Sequence, residues 1–285
     1  MLWSCVLCTF MGMAIYKAHL MENEFSAMVT SLIRVFANFA VVCFLPKVDS
    51  VFRYRRHTIL WLWGGFGSVT ALTFFSAVPR IGMGEASFLQ ASSGMFVALL
   101  APRVAGQRSS WGAWVAIFGC MLGAGLMSYD SLATGGGWGK ALALISGLSS
   151  ALAYLMVARG GEAFPPRVLM FYWFLVAVVV HILLSVALGL VIPVRVEVWA
   201  LLVFAGFCAA TSQYTAIRSY QWAPAAIAAV LGYLTPVMSL IVDATIFALF
   251  PTKHSLSGAT LILVSCLWGT LMKLPTSSLN GEAAS

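Results

Sequence analysis

The sequence predicts an all-α polytopic membrane protein of ten transmembrane helices, arranged as two inverted five-helix repeats. Three observations carry that prediction. Of 285 residues, 61% are hydrophobic and 9% are charged, against about 25% charged in an ordinary soluble domain. Apolar runs long enough to cross a hydrocarbon layer of about 30 Å recur along the whole chain. The second half also repeats the first at a nearly constant spacing. The runs are continuous rather than alternating, which excludes a β-barrel.

Each run is bounded by charges or by Pro and Gly. The first, Leu2–Leu20, lacks the basic start and small-residue cleavage pattern of a secretory signal and is kept as a helix. Phe25–Leu45, Thr58–Val78, Gly84–Ala101 and Ser110–Ser128 complete the first half. Trp138–Ala158, Arg167–Leu190, Glu197–Ile217, Pro224–Phe250 and Ser257–Lys273 form the second. The domains expected are thus a repeat over 1–136, a repeat over 137–274 and a tail over 275–285. No connection is long enough for a soluble domain.

The net charge of +7 belongs to topology rather than to a nucleic-acid partner. With the N-terminus inside and the loops assigned alternately, ten basic residues fall inside and five outside. The positive-inside rule then places both termini in the cytoplasm of a multi-pass cell-membrane protein, in a bacterium the inner membrane. All six cysteines lie within spans. Cys5 and Cys8 form a C-x-x-C, read either as a metal or redox pair or as small polarizable residues packed between helices. No His or second Cys pair completes a site, so neither metal nor cofactor is expected.

A shift of 142 residues lays Ser4 on Ser146, Lys17 on Arg159, Gly64 on Gly206, Thr70 on Ser212 and Ala86 on Ala228. Beyond four extra residues the shift becomes 146, and Cys120 meets Cys266. Agreement on one spacing, span against span, marks an internal repeat. Five spans per half make the second repeat enter the membrane from the opposite side. Inverted repeats supply two exchangeable shapes, the structural basis of alternating access in many secondary transporters.

The stretches ASFLQASSGMFVALLAPRVAGQRSSWGAWVAIFGCMLGAGLM and APAAIAAVLGYLTPVMSLIVDATIFALFPTKHSLSGATLILVSCLWGTLM resemble the ends of paired EamA domains of the drug/metabolite transporter superfamily. Trp3, Lys17 and Arg34 stand at matching places in the first half. The resemblance implies ten helices, cytoplasmic termini and a central cavity lined by spans 1, 3, 4, 6, 8 and 9. It also implies export or exchange of small metabolites without ATP hydrolysis. Three departures stand out. Gly106-Gln107 replaces a common Gly-Glu, the equivalent acid after span 9 is missing, and Gly94 replaces a fourth-span proline whose ninth-span counterpart, Pro236, is kept.

Two formal charges lie deep in spans, Arg34 and Asp243, and neither is repeated: Arg34 falls on Val176 and Asp243 on Ala101. A charge in hydrocarbon costs about 2.5–3.5 kcal/mol on insertion scales and faces the bundle interior or water. Asp243 is read either as a proton or cation site or as the ion-pair partner of Arg34. Pro236 removes one helical hydrogen bond and predicts a bend in span 9 that lines the cavity. Gln90, Gly94, Tyr154, Gln213, Tyr233 and Pro236 are the candidate cavity residues. Ser87, Ser146, Ser150, Ser212, Tyr214, Thr215, Trp3 and Tyr16 add polar and aromatic surface. Hydroxyls, amides and aromatics without dense charge suit a small neutral or zwitterionic, amino-acid-like substrate. Most Ser and Thr in such helices bond backbone carbonyls instead.

Enzyme chemistry is not expected. The four histidines are scattered, and no H-E-x-x-H, G-x-S-x-G or Walker A sequence occurs. The expectation is therefore a secondary transporter whose partners are a small-molecule substrate and the lipid bilayer. The alternatives are a flippase for a lipid-linked precursor and a non-transporting membrane scaffold.

Overall fold

The computed structural model describes residues 1–22, 24–45, 51–81, 83–107, 110–127, 129, 137–160, 163–188, 191–248 and 252–271. Everything regular in them is helical. The first half comprises α1 (Leu2–Met21), α2 (Ala27–Phe44), α3 (Thr58–Ile81), α4 (Met83–Ala91), α5 (Ser93–Val104) and α6 (Trp111–Met127), with a 3₁₀ turn over Val51–Tyr54 before α3. The second comprises α7 (Gly137–Gly160), α8 (Pro166–Leu188), α9 (Val196–Trp222), α10 (Ala225–Gly232), α11 (Leu234–Ile246) and α12 (Lys253–Leu271). Helices are the expected form, because backbone groups in lipid must be satisfied within their own segment. Among the described residues, five segments are long and apolar enough to cross a membrane: Leu2–Met21, Gly137–Gly160, Pro166–Leu184, Val196–Trp222 and Ala225–Ile246. Four shorter apolar helices stand beside them. The protein is a multi-pass membrane protein.

Two predicted spans need correction. The fourth, expected as one helix over Gly84–Ala101, is α4 and α5 with a break at Ser92. The ninth is α10 and α11, and it breaks at Tyr233 rather than at Pro236. At both breaks the chain tightens by one residue. The Ser92 N–H donates to the Leu89 carbonyl (3.2 Å) and the Tyr233 N–H to the Val230 carbonyl (3.1 Å), each three residues back. Pro236 then falls in the first turn of α11, where a missing N–H costs nothing.

Packing runs across the halves in matched pairs. α3 lies along α7 as α1 lies along α9, and α3 packs on α8 as α2 packs on α9. α5 meets α7 as α11 meets α1, while α6 meets α12 and α2 meets α8. At the α6–α12 contact the Cys120 and Cys266 sulfurs are 3.7 Å apart. Past the end of α5, Gly106 takes φ 67, and the Gln107 N–H returns to the Ala101 carbonyl at 3.2 Å.

The helix ends sort into two sets. At one end Arg167 donates to the Leu45 carbonyl (2.9 Å), the Tyr172 hydroxyl to the Val51 carbonyl (3.2 Å) and Gln221 to the Phe164 carbonyl (2.7 Å). At the other, the Ser26 N–H donates to the Val191 carbonyl (3.0 Å), and the Glu22 carboxylate accepts the Val194 N–H (2.9 Å).

Candidate functional site

The two broken helices meet in the middle of the bundle. The Tyr233 hydroxyl donates to the Ala91 carbonyl, the last of α4. Ala91 and Tyr233 are equivalent positions at the 142-residue spacing, so one break caps the other at its counterpart. Gly94 makes this possible. A Cβ there would stand 2.7 Å from the Tyr233 ring, closer than any side chain tolerates. The small residue at the position of the expected proline is thus the seat of an aromatic ring.

A second link joins the same helices. The Gln107 side-chain oxygen accepts the Ala225 N–H at 2.9 Å, capping the start of α10 from the end of α5. Resemblance marked Gln107 only as a departure. Its amide oxygen supplies the acceptor that a glutamate would supply, without the charge.

The helices flanking the breaks are clamped by paired hydroxyls. The Ser4 hydroxyl donates to the Ser212 carbonyl (2.9 Å), and the Ser146 hydroxyl to the Thr70 carbonyl (3.1 Å). Ser4 and Ser146 are repeat partners, as are Thr70 and Ser212, so one bond occurs twice. Ser212 also returns a bond to the Ser4 carbonyl (2.8 Å). These hydroxyls are helix clamps, the bland alternative of the sequence reading. Gln90, on α4, donates to the Ser146 hydroxyl at 2.9 Å and ties the first break into the clamp. Cys5 has a similar duty: its thiol lies 3.3 Å from the Leu231 carbonyl beside the second break. Among the described residues no group of His, Cys, Asp or Glu could hold a metal.

Beside this crossing, Cys8 of α1, Arg34 of α2 and Tyr154 of α7 lie within electrostatic range of one another deep in the bundle. All three keep part of their surface accessible. A side chain added at Gly12, one turn beyond Cys8, would meet open space. Tyr154 stacks on Tyr220 with centroids 4.4 Å apart and planes at 10°.

The remaining candidates take different places. Gln213 is half-buried on α9 beside the Ser212 clamp, and Tyr233 is 4% exposed with its hydroxyl on Ala91. Pro236 is half-buried on α11. Trp3 is 73% exposed, and Tyr16 packs edge-on against Phe247. Asp243 belongs to α11, but its side chain and that of Ser87 lie outside the described residues. His181 is a residue the sequence reading passed over. Fully buried, it donates from Nδ1 to the Ala177 carbonyl (2.8 Å), which leaves Nε2 to accept from Ser31 of α2 at 2.6 Å. Nothing in its sequence surroundings signals that bond.

Two broken helices thus cross within a helical membrane bundle, close to Cys8, Arg34 and Tyr154. The chain matches the EamA-like transporter family over residues 137–270. It is 24% identical over 208 residues, 72% of this chain and 72% of the relative, to the pseudopaline exporter CntI of Pseudomonas aeruginosa strain UCBPP-PA14. The same protein of strain PAO1 matches equally well, at 24% over 208 residues. A solved crystal structure superposes with a TM-score of 0.79 over 95% of each chain at 15% identity, which supports the fold.

Proposed function

We propose that this chain is a secondary transporter that exports or exchanges a small, amino-acid-like metabolite by alternating access between two inverted five-helix repeats, 1–136 and 137–274. The observation that carries the reading is the doubled architecture around the helix crossing. One hydroxyl-to-carbonyl clamp occurs in both halves, and the two breaks lie within one residue of equivalent positions and touch. Two packings of similar shape can then exchange, closing a central space to one side as they open it to the other. Arg34, Tyr154 and Cys8 border the substrate space, with Gln90, Gly94, Gln213, Tyr233 and Pro236 holding the helices that shape it. The relative that exports pseudopaline supports a small-molecule cargo and an outward direction. Charge distribution supports a cell membrane with both termini in the cytoplasm.

The test begins with thermal-shift screening of purified protein against a metabolite set, followed by counterflow of each stabilising solute, radiolabelled, in proteoliposomes. A transporter gives counterflow above protein-free liposomes. Movement of a lipid-linked precursor in place of any soluble solute selects the flippase, and no movement of either selects the scaffold. Sidedness is tested separately by cysteine labelling on a cysteine-free background. Cysteines replacing Arg55 and Ser278 should be shielded in sealed cells, and those replacing Thr134 and Lys253 labelled. Strong labelling at 55 breaks the inverted-repeat reading.

A further inference from the structure

The end of the bundle that joins α2 to α3 carries the exposed arginines Arg53, Arg55 and Arg56 on one tight turn. A charged loop is usually a floppy solvated one, but this turn is pinned from three directions. The Tyr172 hydroxyl holds the Val51 carbonyl at 3.2 Å, and the Trp61 indole holds the Arg55 carbonyl at 2.9 Å. Tyr54 and His57 pack edge-on to Phe164 at 6.0 and 5.1 Å. Exposed Arg103 and Arg159 come to the same end, on helices joined to it by Gln107 and Phe164. The sequence places only Asp49 and Glu162 among these loops to oppose them.

Beneath the turn runs a column of phenylalanine rings. Phe52, 61% exposed, packs edge-on to Phe171 at 5.9 Å. One helical turn further along α8, Phe174 stacks on Phe39 of α2 at 4.3 Å and meets Phe36 at 6.4 Å. Phe36 is 55% exposed, and it lies nine residues before Leu45, where Arg167 ties the two helices. That separation is about 13 Å down the span. Behind the rings, Asn38 donates to the Met170 carbonyl at 3.0 Å and Ser31 bonds His181, so polar groups close the α2–α8 seam and leave Phe36, Phe39 and Phe52 exposed on its outer side.

We propose that the basic turn and the phenylalanine column form a seat for one anionic phospholipid, its phosphate held by Arg53, Arg55 and Arg56 and one acyl chain lying along the rings from Phe52 to Phe36. Charge complementarity selects the headgroup. The column selects a lipid over any soluble polyanion, which reaches the arginines but not a ring 13 Å down the span. Because the turn's backbone is already fixed, binding has only the arginine side chains left to order.

Native mass spectrometry of the delipidated full chain in neutral detergent tests this, with phosphatidylglycerol and phosphatidylcholine of identical chains as probes. Wild-type protein is expected to retain the anionic lipid about tenfold over the neutral one, the preference shrinking as salt is raised. The combined R53Q, R55Q and R56Q change should bring it within about twofold, while lysine at all three positions keeps most of it. Phe36→Ala with Phe39→Ala should weaken both lipids and leave the preference. Equal binding of the two lipids by wild-type protein overturns the proposal, as does a preference that survives the glutamine changes. Competition by chain-free glycerophosphoglycerol as strong as that by the lipid also overturns it, since the site would then bind free anions.

Discussion

The breaks at Ser92 and Tyr233 reach one backbone geometry from different residues. Their dihedrals nearly coincide, φ −56 and ψ −14 against φ −67 and ψ −9. Only the second has a proline nearby, so proline is not what the two have in common. What they share is a partner helix pressed against the same carbonyl. α7 brings Gly147 against the Leu89 and Gln90 carbonyls, and α1 brings the Cys5 thiol to the Leu231 carbonyl. Leu89 and Leu231 are repeat partners, and so are Gly147 and Cys5. One break is held by bare proximity to a glycine, the other by a weak thiol donor. The two breaks thus fall within one residue of each other at the 142-residue spacing but are satisfied in different ways.

The features with no counterpart in the other half are expected to carry the largest effects. Arg34 and Asp243 are the charges that the repeat does not duplicate. If the two are paired, Arg34→Gln and Asp243→Asn should each lower the thermal midpoint strongly, by the equivalent of about 3–5 kcal/mol, because each leaves its partner as a lone charge. The double change should then recover part of the loss. Two single changes that simply add would break the pair. Normal pH-gradient-driven uptake by Asp243→Asn would remove a coupling role, since asparagine keeps the shape but cannot titrate.

The matched contacts come next. A Cβ at Gly147 would stand 2.7 Å from the Ser92 hydroxyl and 3.1 Å from the Gln90 carbonyl. Gly147→Leu should therefore cost about 1–3 kcal/mol by overpacking, visible as a lower melting temperature. The equivalent change at the second break, Cys5→Ala, removes only a weak donor and should be nearly silent; equal losses at both positions would erase the distinction drawn between them. Tyr233→Phe keeps the ring on Gly94 and leaves the Ala91 carbonyl without its hydroxyl, for an expected cost of about 1 kcal/mol. Gln107→Ala should cost about as much by uncapping α10, whereas Gln107→Glu should cost less, since a carboxylate still accepts and favours a helix start.

Hydropathy made the helices legible, because a lipid solvent leaves the backbone one way to satisfy itself. At the 142-residue spacing Ser4 lies on Ser146 and Thr70 on Ser212, the four residues that form the clamps. The break at Ser92 was not legible. No proline or special residue marks it, and it depends on Gly147 and Tyr233 lying 55 and 141 residues away in the sequence. Cross-helix partners of this kind leave no local pattern. His181 escaped for the same reason, its role fixed by Ser31 at a separation of 150 residues. The proline at 236 misled by its strength as a local signal, since a residue that can end a helix is equally at home starting one.

Pro236→Ala is among the smallest expected effects and is the sharpest test of the comparison. If proline made the ninth-segment break, alanine would let α10 and α11 join, and Tyr233 would have to leave Gly94 and the Ala91 carbonyl. The cost would then exceed that of Tyr233→Phe. If packing makes the break, alanine merely adds an N–H in the first turn of α11, where the first four amides have no intrahelical partner in any case. The chain also gains some freedom in the unfolded state, which destabilises by about 0.4–1 kcal/mol. The break at Ser92, formed with no proline at the equivalent position, favours the second outcome: a thermal midpoint within a few degrees of wild type, and an unchanged loss of stability when Tyr233→Phe is added to Pro236→Ala. A Tyr233→Phe loss that vanishes in Pro236→Ala would return the ninth-segment break to the proline and leave the two breaks alike in shape only.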